Sequence, residues 1–309
     1  MLRNGELFAR IKKVWMVGLF SIGAVAPAAN HSVARETPAA QAQLPLHEKR
    51  ATSEDLALSG DLTGLPAGSV RYVAYSDLLK LPQVRFQVTD DPNFQEKTEI
   101  GGVYLDTLLR ALDIPDKDTL IAAICDDKYE AHYPVAYRAA HHPILVLRIN
   151  GRQPAQWPRT SDGGTYGPYL ISHASFTPQF KVLAYAEESQ IPNGVLELRF
   201  VKEHELLAAV HPRGHFAADS PQMRGGIIAR ENCLRCHNSG AYGGNKAGRS
   251  WETLGRISQI SPIDFARYIK DPKSVNGLAQ MPGFPEYDEA TLSALAAYFQ
   301  TFAPGSPAR

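Results

Sequence analysis

Between residues 233 and 237 the chain reads Cys-Leu-Arg-Cys-His, and these five residues restrict the surrounding fold more than any others. Two thiols three positions apart stand about one helical turn from each other on a common face. A histidine directly after the second places an imidazole beside both sulfurs. Each thiol can then form a thioether to one vinyl group of a single macrocycle while the imidazole lies under the central iron. The spacing therefore predicts covalent attachment of one c-type haem through Cys233 and Cys236, with His237 as proximal ligand. Competing chemistries want different company. A zinc site needs a second Cys/His pair, and neither residue type occurs between 238 and 309. A thioredoxin-like pair follows a strand within a βαβ unit, whereas the residues around 233 have a helical pattern. A structural disulfide stays open for an exported protein but leaves His237 without a role.

Export is itself an expectation from the first residues. Arg3, Arg10, Lys12 and Lys13 precede an apolar run over 14–26, and small residues follow as Ala26-Pro27-Ala28. That order is a secretory signal over 1–28, which would send the chain to the periplasm. The apolar run is shorter than the ~20 residues of a membrane span. No stable span is expected after cleavage, a retained membrane anchor being the alternative. Lys+Arg and Asp+Glu both number 32 among the 309 residues. Such balance lacks the basic excess that counter-ion release at a phosphate backbone requires, which argues against nucleic acid as a partner. The length suits about two domains of ~150 residues, and 44% hydrophobic with 21% charged residues is globular composition.

Periodicity divides the chain further. Residues 29–68, rich in Ala, Pro, Gln and Ser, read as a linker or partly ordered arm. From 69 to 205, short β-rich runs at 70–75, 84–88, 120–124, 144–149, 180–186 and 195–200 alternate with turn residues, Asn150-Gly151 among them. One helix interrupts them, with Val103, Leu105, Leu108, Leu109 and Leu112 on a single face. These signals predict an α+β module with a mixed or antiparallel sheet. A linker over 206–221 then leads to an all-α domain over 222–309. Helices are expected at 225–232, at 262–269 under a Ser261 cap, and at 288–302, where Leu292, Leu295, Ala296 and Phe299 form an apolar stripe.

Met281 is the only methionine after Met223, and it stands in Gln280-Met281-Pro282-Gly283-Phe284 just before the last helix. The proline stiffens that loop, which could present a thioether to iron. With Cys-Xaa-Xaa-Cys-His at a first helix and a crossing last helix, residues about 222–303 resemble the small monohaem c-type cytochromes. The resemblance implies that Cys233 and Cys236 bind haem covalently and that His237 and Met281 are its axial iron ligands. It also implies that Gly225 is the small residue where the first helix meets Tyr298 or Phe299 of the last. The family usually carries a proline after the motif whose backbone supports the proximal histidine, and residues 238–261 contain none. The acceptor of the His237 ring N–H is thus left open. His211 and His215 are the distal alternatives, and Lys246, Arg249, Trp251 and Arg256 are candidates near the propionates.

The front module shows Gly101-Gly102-Val103-Tyr104, then Cys125-Asp126-Asp127-Lys128-Tyr129, then Asn150-Gly151-Arg152-Gln153-Pro154. In that order it resembles the molybdopterin-binding domain of the sulfite oxidase family. That family places its metal-binding cysteine upstream of the helix, and residues 70–100 contain none. Cys125 lies downstream, so no ligand role is carried to it, and it reads as a small buried hydrophobe. His132, His141, His142 and His173 read as surface histidines, a pocket lining with Tyr133 and Tyr166 being the alternative. The expected function is a periplasmic c-type cytochrome that carries single electrons between a dehydrogenase and a downstream acceptor, with redox proteins as partners and no catalytic residues of its own. Two alternatives stay open: a haem-fused molybdopterin oxidoreductase passing electrons from a small substrate to its own haem, and a haem-based gas sensor.

Overall fold

A computed structural model describes residues 43–161 and 163–305; the expected leader over 1–28 lies outside them. The first part alternates strands with short helices: β1 (Leu56–Gly60), β2 (Arg71–Val73), α1 (Tyr75–Leu78), β3 (Val84–Val88), β4 (Thr98–Tyr104), α2 (Leu105–Ala111), β5 (Thr119–Cys125), β6 (Glu130–Tyr133), α3 (Val135–His141) and β7 (Ile144–Ile149). Then come β8 (Leu170–Ser172), β9 (Lys181–Val182), β10 (Tyr185–Ala186), β11 (Val195–Lys202) and α4 (Glu203–Val210). The remainder is helical: α5 (Pro221–Ile228), a π turn over Ala229–Cys233, α6 (Trp251–Ile260), α7 (Pro262–Lys270), α8 (Pro272–Val275) and α9 (Glu289–Gln300).

One sheet has the order β2-β1-β11-β5-β6, and only its β1–β11 pair is parallel. A second, antiparallel sheet runs β3-β4-β7-β8. The mixed-sheet expectation holds. Strand β5 shows how the halves meet, because successive side chains point to opposite faces. Ile121, Ala123 and Cys125 join the front core with Leu58 and Phe200, while Leu120 and Ala122 pack with Leu206, Ile228, Leu295 and Phe299 of the helical part.

That shared strand explains two corrections. Residues 206–221 are not all linker: Leu206 and Val210, one turn apart, are buried on α4, which leaves only 211–220 as a connection. Nor is 29–68 an arm throughout, since β1 lies between β2 and β11 with Leu56 and Leu58 at 0% exposure. Both faces of β1 are covered, so its sequence has no alternation to read. Three smaller differences follow. Val103 belongs to β4, opposite Leu145, and α2 starts only at Leu105. The run over 70–75 turns into α1 after three strand residues. The run over 180–186 is split where Leu183 takes a φ of 54°.

In the helical part, Ser261 accepts the Asp264 N–H, so the expected cap forms, and Asp288 caps the last helix by accepting the Thr291 N–H at 2.8 Å. Helices α5 and α9 cross at Gly225, where a Cβ would stand 2.1 Å from the Ala294 carbonyl oxygen and 2.9 Å from the Tyr298 Cβ. Of the two aromatic residues expected there, Tyr298 is the one met. Its hydroxyl accepts from the buried Trp251 Nε1 at 2.8 Å and donates to the Val210 carbonyl. Trp251→Phe removes one buried hydrogen bond and some volume, and we expect a loss of roughly 1–3 kcal/mol in urea unfolding. A change below about 0.5 kcal/mol, the level of an ordinary surface substitution, would show that the bond contributes nothing.

Candidate haem site

The Cys-Leu-Arg-Cys-His pentapeptide begins at the end of the π turn, where the Leu234 N–H reaches back to the Ala229 carbonyl at 3.1 Å. A helical turn then closes as the His237 N–H donates to the Cys233 carbonyl at 3.0 Å, returning the imidazole to the side of Cys233. Loop 238–250 wraps the same residues with a series of backbone bonds. Gly244 N–H donates to Leu234, Ala247 N–H to Cys236, and Trp251 N–H to Asn238. Gly244 has no substitute here, because a Cβ would lie 2.0 Å from the Arg235 carbonyl oxygen.

That loop supplies what the missing proline left open. The His237 Nδ1 donates to the Arg249 carbonyl oxygen at 2.9 Å. Burial pulls the imidazole below the usual histidine range, outweighing the bond to Arg249, so the ring is neutral near pH 7. A neutral ring with its proton fixed on Nδ1 presents the Nε2 lone pair, the form that ligates a metal.

His237, Cys233 and Met281 line one cavity of about 360 Å³, whose other walls include Leu254, Ile257, Phe265, Ile269 and Phe299. Its volume and apolar walls suit a bound organic group. Cys236 lies one turn on, partly buried, outside that lining. The two thiols are not joined in a disulfide. Burial pushes the Cys233 thiol up to about 12 and raises Cys236, unlike the low-pKa thiolates of catalytic pairs. A buried neutral imidazole, a thioether and a thiol around one greasy cavity fit a c-type haem.

Among the propionate candidates only Arg249 lines this cavity. Trp251 is spent on Tyr298, Lys246 pairs with Asp127, and Arg256 is exposed. His211 and His215 are exposed and outside the lining. Sequence reading missed the walls from α6, a helix disguised by Gly255; a Cβ there would come 2.7 Å from the Phe299 carbonyl.

The front module differs from expectation at its histidines. His141 and His173 are buried around Tyr137: the Tyr137 hydroxyl bonds His173 Nε2 at 3.0 Å, and His141 faces Glu187 at 3.1 Å and stacks on Phe176. Burial pushes His173 down to about 3. His132 pairs with Glu130 at 2.9 Å, and only His142, closing α3, is exposed. Cys125 is buried as expected, at the wall of a separate cavity of about 610 Å³. Among the described residues no cluster of three or more His, Cys, Asp or Glu could hold a metal ion.

Residues 221–299 match the family described as cytochrome c oxidase, cbb3-type, subunit III. The helical part is a cytochrome c domain. As a cytochrome c domain it implies haem binding and electron transfer, and it follows a mixed-sheet module in this chain. No curated protein matches the chain. Among solved structures, the sulfane dehydrogenase SoxCD from Paracoccus pantotrophus is similar at 14% identity, over 50% of this chain and 40% of that one, with a TM-score of 0.31. The chain thus spans about two fifths of that protein's length, and so slight a likeness says nothing of activity. No helix among the described residues is long and apolar enough to cross a membrane.

Proposed function

We propose that this chain is a periplasmic carrier of single electrons. Cys233 and Cys236 bind one haem c covalently, His237 and Met281 ligate its iron, and redox proteins, a dehydrogenase and a downstream acceptor, are the partners. The observation that carries the reading is His237: a buried neutral imidazole, oriented by the Arg249 carbonyl, in one apolar cavity with the Cys233 sulfur and the Met281 thioether. When bound, the haem supplies a one-electron change at iron. The chain's own residues do the positioning. Arg249 fixes the ring plane and tautomer of His237, Leu254, Phe265 and Ile269 give the cavity apolar walls, and Pro282 stiffens the loop bearing Met281. A thioether ligand and apolar walls together favour the ferrous state.

The front module, in this reading, is a scaffold that presents the cytochrome domain to a partner. Metal analysis of matured protein tests this against the oxidoreductase alternative. We expect iron near one per chain and no molybdenum; molybdenum near one per chain would overturn the carrier reading.

A further inference from the structure

Arg235 sits between the two attachment cysteines, yet its side chain turns away from the haem cavity toward the front module, walling the larger cavity with Cys125, Tyr129 and Glu188. Only 12% of that side chain is exposed. Its Nη1 meets Glu188 Oε2 at 3.2 Å, but Nε and Nη2 reach neither a protein acceptor nor solvent. Arginine stays ionised in such surroundings.

Most of the carboxylates around this cation are engaged with other cations. Glu231 pairs with Arg230 at 2.8 Å, Asp127 with Lys246, and Glu130 with Arg199 and His132. Glu188 is the one carboxylate at ion-pair distance from Arg235, with the neutral Tyr129 hydroxyl as a further partner, and the Glu188 side chain is 46% exposed, where solvent screens the pair. The backbone holds the residue in place as well: the Arg235 carbonyl accepts the Glu130 N–H at 2.9 Å, and the neighbouring Asn245 N–H donates to Lys128 at 3.0 Å. The front module therefore grips the attachment peptide at the residue that carries the buried charge.

We propose that Arg235 is a positioning and tuning residue that raises the reduction potential of the haem. The inference rests on the haem reading above. Ferric haem carries one positive charge more than ferrous haem, so a nearby cation in a weakly screening interior disfavours the ferric form. One electron is exchanged with the redox partner, and no proton need move. Glu188 acts with the opposite sign.

Spectroelectrochemical titration of matured full-length protein tests this, with haem content read from the pyridine haemochrome. For Arg235→Gln the midpoint shifts downward, so that at a fixed ambient potential the ferric/ferrous ratio rises roughly three- to tenfold. Glu188→Gln shifts it upward by less, and Arg235→Lys, which keeps the charge, stays nearer the unaltered protein than the Gln variant does. An Arg235→Gln midpoint that is unchanged or higher, at full haem content and with an unchanged visible spectrum, overturns the proposal. Should Arg235→Gln fail to mature, Glu188→Gln decides: an unchanged or lower midpoint overturns it. Absence of covalent haem from the unaltered protein is a different result, and sinks the haem reading itself.

Discussion

Met281→Ala is expected to leave haem attached through Cys233 and Cys236 while opening the distal side of the iron, so that the reduced variant binds carbon monoxide fast and completely. Met281 is partly buried against the helical core and shares its cavity with His237, so the substitution removes both a ligand and packing. Loss of the thioether should also lower the potential. Because the side chain is only partly buried, the stability cost should fall at or below the lower end of the core Met→Ala range, about 2 kcal/mol. The unaltered protein, with the distal position filled, should bind carbon monoxide slowly or in part. Fast, complete binding by the unaltered protein would favour the gas sensor, and a Met281→Ala spectrum and potential identical to those of the unaltered protein would remove Met281 from the site.

A second large effect is expected at the helix crossing that carries the site. Gly225→Ala places a methyl group 2.1 Å from the Ala294 carbonyl oxygen, an approach that only movement of α5 against α9 can relieve. The attachment peptide begins one turn beyond α5, so the shift is passed to Cys233 through the π turn. Overpacking of this kind costs typically 1–3 kcal/mol, and we expect reduced haem incorporation alongside it. Gly277→Ala is the control, since a Cβ there meets nothing within 4 Å and its φ is ordinary. Equal unfolding midpoints for the two variants would show that the crossing is not as close as described.

What could be read in advance depended on whether the chemistry lay in side chains near one another along the chain. The attachment cysteines and His237 announce themselves because one helical turn brings them together. Met281 and Gly225 followed from the resemblance; in the structure Met281 lines the same cavity as His237, and Gly225 packs against Tyr298. The acceptor for His237 could not be found that way, because a backbone carbonyl has no side-chain signature; any residue at 249 offers the same oxygen. Strand β1 was missed because both of its faces are buried, which erases the two-residue period. Glu130 and His132 gave β6 a polar look, and only the fold shows Arg199 pairing with the buried carboxylate and the histidine hydrogen-bonded to it. Burial of His141 and His173 comes from two distant segments closing on each other, His141 stacking on Phe176 and the Tyr137 hydroxyl bonding His173, which no local pattern reveals.

The proposed electron transfer turns on two sulfur–carbon bonds to a porphyrin. Intact-mass spectrometry of protein matured in a periplasm with a haem c attachment system measures this directly. The expected mass exceeds that of the mature polypeptide by one haem, with neither Cys233 nor Cys236 open to alkylation and the buried Cys125 reacting only after unfolding. A mass equal to the bare polypeptide, with both attachment thiols alkylated, would contradict it.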